Sequence, residues 1–232
     1  MPTTSNEDTM EALSTPVSGT AVSATEAAPA RYDIYAAIHK ALRLHMADTL
    51  TRLGRTDPFD DADVSGALRQ LGELVDLCEH HLHNESRFLH PALERARPGS
   101  ASHCEADHAA HLEAFADLRD LAGLVTDTRG EARAGALTRL YRATARFVGH
   151  NFEHMAYEEA EHNAVLWAAL DDAQILAIEQ QIVSSIEPSA MGALLHWFLP
   201  ALNAPERAAM LRGMQAAMPA PAFEGVLDIA RA

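Results

Sequence analysis

Two copies of one spacing stand out in the 232-residue chain: His81-Leu82-His83-Asn84-Glu85 and His154-Met155-Ala156-Tyr157-Glu158, both His-x-x-x-Glu. Four residues along an α-helix give about 40° of rotation and one turn of rise, so the imidazole and carboxylate of each copy point the same way. Side by side they can bind one divalent metal, or the carboxylate can bridge two. Each copy follows a histidine of its own: His39 lies 42 residues before His81, and His108 lies 46 residues before His154. The chain thus reads as a helical hairpin used twice, each hairpin offering a histidine plus His-x-x-x-Glu. Four such helices would present four imidazoles and two carboxylates to a shared interior, which is how metal sites in bundle cores are built.

A single His-x-x-x-Glu is ordinarily a surface pair, so helical periodicity has to show that these residues face inward. On the segment from 62 to 96, Leu74, Leu77/Cys78, His81, Glu85, Phe88 and Ala92 follow one inner stripe. A histidine and a glutamate within an apolar stripe are costly unless ligated or paired. His39 shares a face with Tyr35, Leu42 and Met46, whereas His45 is about 120° away. His108 and His111 are about 60° apart and share a side with Leu112, Phe115 and Leu118, so both are candidates. Phe147, His154, Glu158 and Val165 share a face, but His150 and Glu161 also lie on it, which leaves that register open. The candidate metal ligands are therefore His39, His81, Glu85, His108, His111, His154 and Glu158. Twelve of the thirteen histidines fall between His39 and His162, where an even spread would put about seven. Of the others, His45, His80, His83, His90 and His162 are expected to be solvated or packing residues. His103 is expected outside the site and His196 as packing.

The elements that must position these residues are helical. From Tyr32 onward apolar residues recur at three and four, and no strand-like alternation is convincing. Breakers delimit four long segments, at about 32–53, 62–96, 101–125 and 131–169, with Gly54, Arg97-Pro98-Gly99-Ser100 and Gly130 between them. Segments of this length with short links predict an all-α, up-and-down four-helix bundle over residues 30–170. Shorter helices punctuated by prolines follow, a helical extension over 171–232 packed on the bundle. Within it Met191 to Leu199 is expected to cap the bundle, over one end of the metal site, or else to form a dimer surface. Residues 1–29, rich in Ser, Thr, Ala, Pro and acidic residues, are expected to be a disordered tail.

Composition excludes several functions. With 18 Lys+Arg against 33 Asp+Glu and a net charge of −15, no nucleic-acid partner and no docking on anionic lipid is expected. The longest apolar stretch, interrupted by His196 and Pro200, is too short to span a bilayer. No secretory signal is visible, and two cysteines, Cys78 and Cys104, fit a reducing cytoplasm rather than a disulfide scaffold. Each cysteine lies one turn before a candidate ligand. Antiparallel helices would displace them in opposite directions, beyond disulfide reach. A Gly-rich phosphate loop and a nucleophile elbow are both absent.

With His39, His81-x-x-x-Glu85, His108 and His154-x-x-x-Glu158 in place, the sequence resembles the hemerythrin-like family in its His–His–Glu cation-binding form. The resemblance covers about residues 31–170. His81, Glu85, Leu89 and Pro91 follow the family's His-x-x-x-Glu-x-x-x-Leu-x-Pro pattern, and Asp107-His108 is similar to the start of its third helix. The second copy departs from it, with His162 at the leucine position. His111 would supply a second ligand on the third helix. The resemblance implies a non-haem di-iron centre with Glu85 and Glu158 as bridging or terminal ligands; zinc or manganese would accept the same donors. Six or seven protein ligands for two metals leave positions for a small ligand, O2, NO or peroxide. With only two carboxylates among imidazoles, such a pair is expected to favour binding O2 or capturing NO over cleaving the O–O bond. Tyr35, Tyr157, Asp107 and Glu153 are expected to orient ligand imidazoles. The expected function is binding or sensing of these ligands, or iron handling, by a monomer or homodimer. The alternatives are a di-iron oxidoreductase reducing peroxide or NO, and a regulatory metal-sensing module.

Overall fold

The computed structural model describes residues 31–231; the expected tail lies outside the described residues. From Arg31 onward the chain forms one compact unit, and among the described residues there is no strand. Helix α1 (Ala36–Arg55) ends one residue beyond Gly54. Asp60 caps α2 (Asp61–Asn84), its side chain accepting from the backbone N–H of Ala62 and Asp63. This helix continues without a break through a π-helical turn (Glu85–Leu89) into α3 (His90–Ala96). Glu94 then accepts from the N–H groups of Gly99 and Ala101, closing the turn in which Gly99 adopts φ +85. Helix α4 (Ser102–Asp127) leads through a short link to α5 (Gly130–Tyr157), which runs through a second π turn (Glu158–His162) into α6 (Asn163–Ala169).

These four rods close a ring: α1 packs on α2 and α5, and α4 packs on α2 and α5. Where Gly54 of α1 meets α5, a Cβ would lie 3.1 Å from the Tyr141 ring, which would have to give by a few tenths of an ångström for any larger residue. The loop end of the bundle is tied by buried Arg133, which donates to Asp61 (2.6 Å), to the Pro58 carbonyl and to the Thr128 carbonyl. At the opposite end Arg31 donates to Asp172 and to the Trp167 and Leu170 carbonyls.

The extension comprises α7 (Asp172–Ser185), α8 (Pro188–Ala201), α9 (Ala204–Ala217) and α10 (Ala220–Arg231). Asp171 with Gln174, and Asn203 with Glu206, form reciprocal capping boxes at the starts of α7 and α9. Helix α8 packs along α1. There Trp197 stacks on buried His45 at 3.7 Å and 12°, and Lys40 pairs with Glu206 at 2.5 Å. Trp197 thus meets the face of α1 turned away from His39, so α8 covers the bundle's flank rather than an end of the candidate site.

The bundle interior has two apolar layers. One contains Leu42, Met46, Leu53, Leu74, Phe115, Leu118, Leu140 and Phe147. The other contains Ile34, Tyr35, Leu89, Leu93, Val165, Leu166 and Ile175. On every rod the candidate ligands fall between the two: His39 between Tyr35 and Leu42, Glu85 between Leu82 and Leu89, His108 between Ala101 and Phe115, Glu158 between Met155 and Val165. A polar cluster is therefore enclosed by hydrocarbon above and below.

Candidate metal centre

Both π turns begin on the glutamate of a His-x-x-x-Glu pair. In each, a backbone N–H reaches back five residues, His90 to the Glu85 carbonyl and Asn163 to the Glu158 carbonyl. One extra residue in the turn rotates everything beyond it by about 100° relative to an unbroken α-helix. Leu89, His90 and Leu93 consequently continue the inner face, while Phe88 is only half buried and packs with Arg87 at 4.9 Å. The stripe expected from unbroken helical period, with Phe88 inside, fails at this point.

Six of the seven candidate residues converge. His39, His81, Glu85 and Glu158 bring one ligand atom each within 4.8 Å of one another, and so do Glu85, His108, His154 and Glu158. The two groups share both glutamates. His81 Nε2 lies 3.1 Å from Glu85 Oε1, and His108 Nε2 lies 3.4 Å from Glu85 Oε2. Glu158 Oε2 lies 3.4 Å from both His39 Nε2 and His154 Nε2. Glu85 thus offers one oxygen to each group, and one oxygen of Glu158 faces both. His111 is buried but belongs to neither group; its ring sits edge-on to His154 at 4.9 Å.

Glu85 is 2% exposed and Glu158 fully buried, yet none of their four carboxylate oxygens has a well-aligned hydrogen-bond partner. The same is true of His39 Nε2, His81 Nε2 and His108 Nε2. Burying carboxylates without hydrogen bonds or a cation costs several kcal/mol per group. Seven orphaned donor atoms gathered in two overlapping His/Glu groups could hold a metal cation.

The protonation pattern of the cation-free cluster points the same way. Burial opposes charge on His39, but the carboxylates of Glu158, Glu159 and Glu85 raise its pKa to about 10. A proton there supplies positive charge that a cation would otherwise bring. Burial likewise opposes ionisation of Glu85, but the imidazoles of His81, His108 and His39 hold it well below the usual carboxylate range. Glu158 is pushed up, by burial first and then by the charge of Glu85.

The outer nitrogens of three of the converging histidines are held. His39 Nδ1 is 3.0 Å from Glu159 Oε1, and Arg43 grips that carboxylate at 2.5 and 3.1 Å. His154 Nδ1 is 3.1 Å from Asp107 Oδ2. His108 Nδ1 is 3.1 Å from Ser86 Oγ. A carboxylate on the far nitrogen fixes the tautomer and makes the near nitrogen a stronger donor. Of the four residues expected in this role, Asp107 occupies it. Tyr35 bonds His162 instead, Tyr157 packs on His103, and Glu153 is exposed. Glu159 and Ser86 each directly follow a candidate glutamate, an adjacency that could have flagged them.

Two other histidines expected to be bland lie beside the cluster. His90 is 3% exposed and stacks on His108 at 4.9 Å, and His162 is 1% exposed. His80, His83 and His103 are exposed, and so are His150 and Glu161, which leaves His154 and Glu158 on the inward face of the rod. Cys78 and Cys104 are both free and buried, Cys78 in the apolar layer and Cys104 beside Glu158 and His162.

This architecture, a four-helix bundle with a duplicated His/Glu cluster at its centre, defines a cation-binding bundle. The family model described as hemerythrin HHE cation binding domain matches residues 30–165, and the chain belongs to that family. Comparisons with curated proteins and with solved structures return no match. No helix among the described residues is long and apolar enough to cross a membrane.

Proposed function

We propose that the cluster holds a di-iron centre that reversibly binds a small ligand, O2, NO or peroxide. His39 and His81 would hold one iron and His108 and His154 the other, with Glu85 and Glu158 shared between them. The observation that carries this is the sharing of two orphaned, buried glutamates by two histidine pairs. Imidazole with carboxylate suits iron, and two histidines plus two shared carboxylates leave an octahedral ion with open positions. Two irons bound there would supply those positions and the electrons shared with a diatomic ligand.

The chain's own residues set the conditions. Glu159 and Asp107 hold His39 and His154 in the tautomer that turns Nε2 inward. The apolar layers around Phe115 and Phe147 on one side, and Leu89 and Leu93 on the other, keep bulk water from the cluster. Two buried thiols are compatible with a reducing cytoplasm.

Anaerobic loading with ferrous iron, followed by oxygen titration and degassing, tests the proposal. A new absorption band that appears with oxygen and disappears on degassing is expected. Steady consumption of peroxide at catalytic protein concentration would favour the oxidoreductase instead, and failure to load iron would overturn both.

A further inference from the structure

The two hairpins are not equivalent. Four residues before its histidine, the first carries Tyr35 and the second Cys104; four residues after its glutamate, the first carries Leu89 and the second His162. The second hairpin therefore brings a thiol and an imidazole to a carboxylate that the pair already uses from its other side. Cys104, Glu158 and His162 each bring one ligand atom within 4.8 Å of the others, and all three are buried. Glu158 divides its two oxygens. Oε2 faces His39 and His154, whereas Oε1, fully enclosed and without a hydrogen-bond partner, faces His162 Nδ1 at 3.9 Å. The Tyr35 hydroxyl lies 3.0 Å from the same His162 nitrogen and adds an oxygen to the rim of this pocket.

We propose that Cys104, His162 and Glu158 Oε1 form a third cation position beside the pair, selective for a borderline divalent ion such as zinc, cobalt or ferrous iron. It rests on the proposed pair, since it takes the oxygen of Glu158 that the pair leaves free. Sulfur, nitrogen and oxygen donors together suit this class of ion and disfavour magnesium or calcium. Binding closes donors now within 4.8 Å of one another to about 2.0–2.3 Å from the ion, and His162 Nδ1 exchanges the Tyr35 hydroxyl for it. The ion replaces the thiol proton, which leaves to solvent; no oxidation state changes. Leu89 in the corresponding place of the first hairpin cannot serve, so the position occurs once.

Cobalt(II) titration of the full chain tests it, read by bound metal per chain and by the near-ultraviolet thiolate-to-cobalt charge-transfer band. Three ions are expected, with the band growing in step with one of them. Cys104→Ser and His162→Gln, each checked for unchanged helicity by circular dichroism, are expected to bind two, with the band lost in Cys104→Ser. Two ions and no band in the unsubstituted chain would overturn the third position and leave the pair standing. A Cys104→Ser chain that binds fewer than two ions would overturn it as well, by placing the thiolate in the pair. Fewer than two ions in the unsubstituted chain would overturn the pair and the third position together.

Discussion

The seven orphaned donor atoms of Glu85, Glu158, His39, His81 and His108 lie buried without partners, and the cost of that burial falls on individual side chains. Neutralising both shared carboxylates, as in Glu85→Gln/Glu158→Gln, removes the negative charge from both histidine pairs at once. The substituted chain is expected to lose tight metal binding at the pair, and its cation-free form to become less stable, because His39 loses two of the carboxylates that hold its proton. Metal content after dialysis, together with urea unfolding of the cation-free protein, checks both halves. Glu159→Gln acts through His39: the Arg43-backed carboxylate no longer fixes the ring, and metal affinity is expected to fall about 10–100-fold. Competition with a chelator measures that change. Most of these donors were legible in the sequence, because His-x-x-x-Glu is a one-turn spacing and repeats. Glu159 and Ser86 were marked only by adjacency to a glutamate, and His90 and His162 not at all. Their roles depend on the π turns, and no residue type announces the turn at Glu158–His162.

At the scale of the element, those π turns let a single rod place a glutamate between two apolar layers and still bury the residues beyond it. Pro91, which has no N–H, sits just after the first turn and makes it the cheaper backbone there. Deleting Ala160 removes the extra residue and the π turn together, so an unbroken α-helix brings Asn163 and all of α6 to the angle they already hold. Val165 and Leu166 then stay in the core, and Glu158 keeps its place. A small change in melting temperature is expected in thermal unfolding followed by circular dichroism; a large drop would show that the turn does not carry one extra residue. The segments themselves were readable to within a few residues, from Gly54, Gly99 and Gly130. The insertion was not readable, because one added residue leaves a helical apolar pattern looking merely blurred, and an unbroken period puts Phe88 on the inside.

Over the whole molecule, the buried imidazoles couple stability to pH. Burial holds His45, His90, His111 and His162 near a pKa of about 4, against an ordinary value of 6.5. The unfolded chain therefore binds more protons than the fold between those values. Stability contributed by the neutral rings is intact above pH 6.5 and lost as pH falls toward about 4. Urea midpoints of the cation-free protein are expected to fall steeply across that window. His45→Phe should flatten part of the fall, since it retains the Trp197 stack without a titrating ring. Cations bound to the fold and not to the unfolded chain add about 2.7 kcal/mol when free metal is a hundred times the dissociation constant. Chelation is then expected to lower the melting temperature reversibly.

The number of iron ions held by the purified chain after anaerobic loading and desalting bears most directly on the centre. At least two per chain are expected in the unsubstituted protein, and neither ion of the pair in Glu85→Gln/Glu158→Gln. Fewer than two in the unsubstituted chain, or an undiminished complement when both shared carboxylates are gone, would contradict a metal pair built on Glu85 and Glu158.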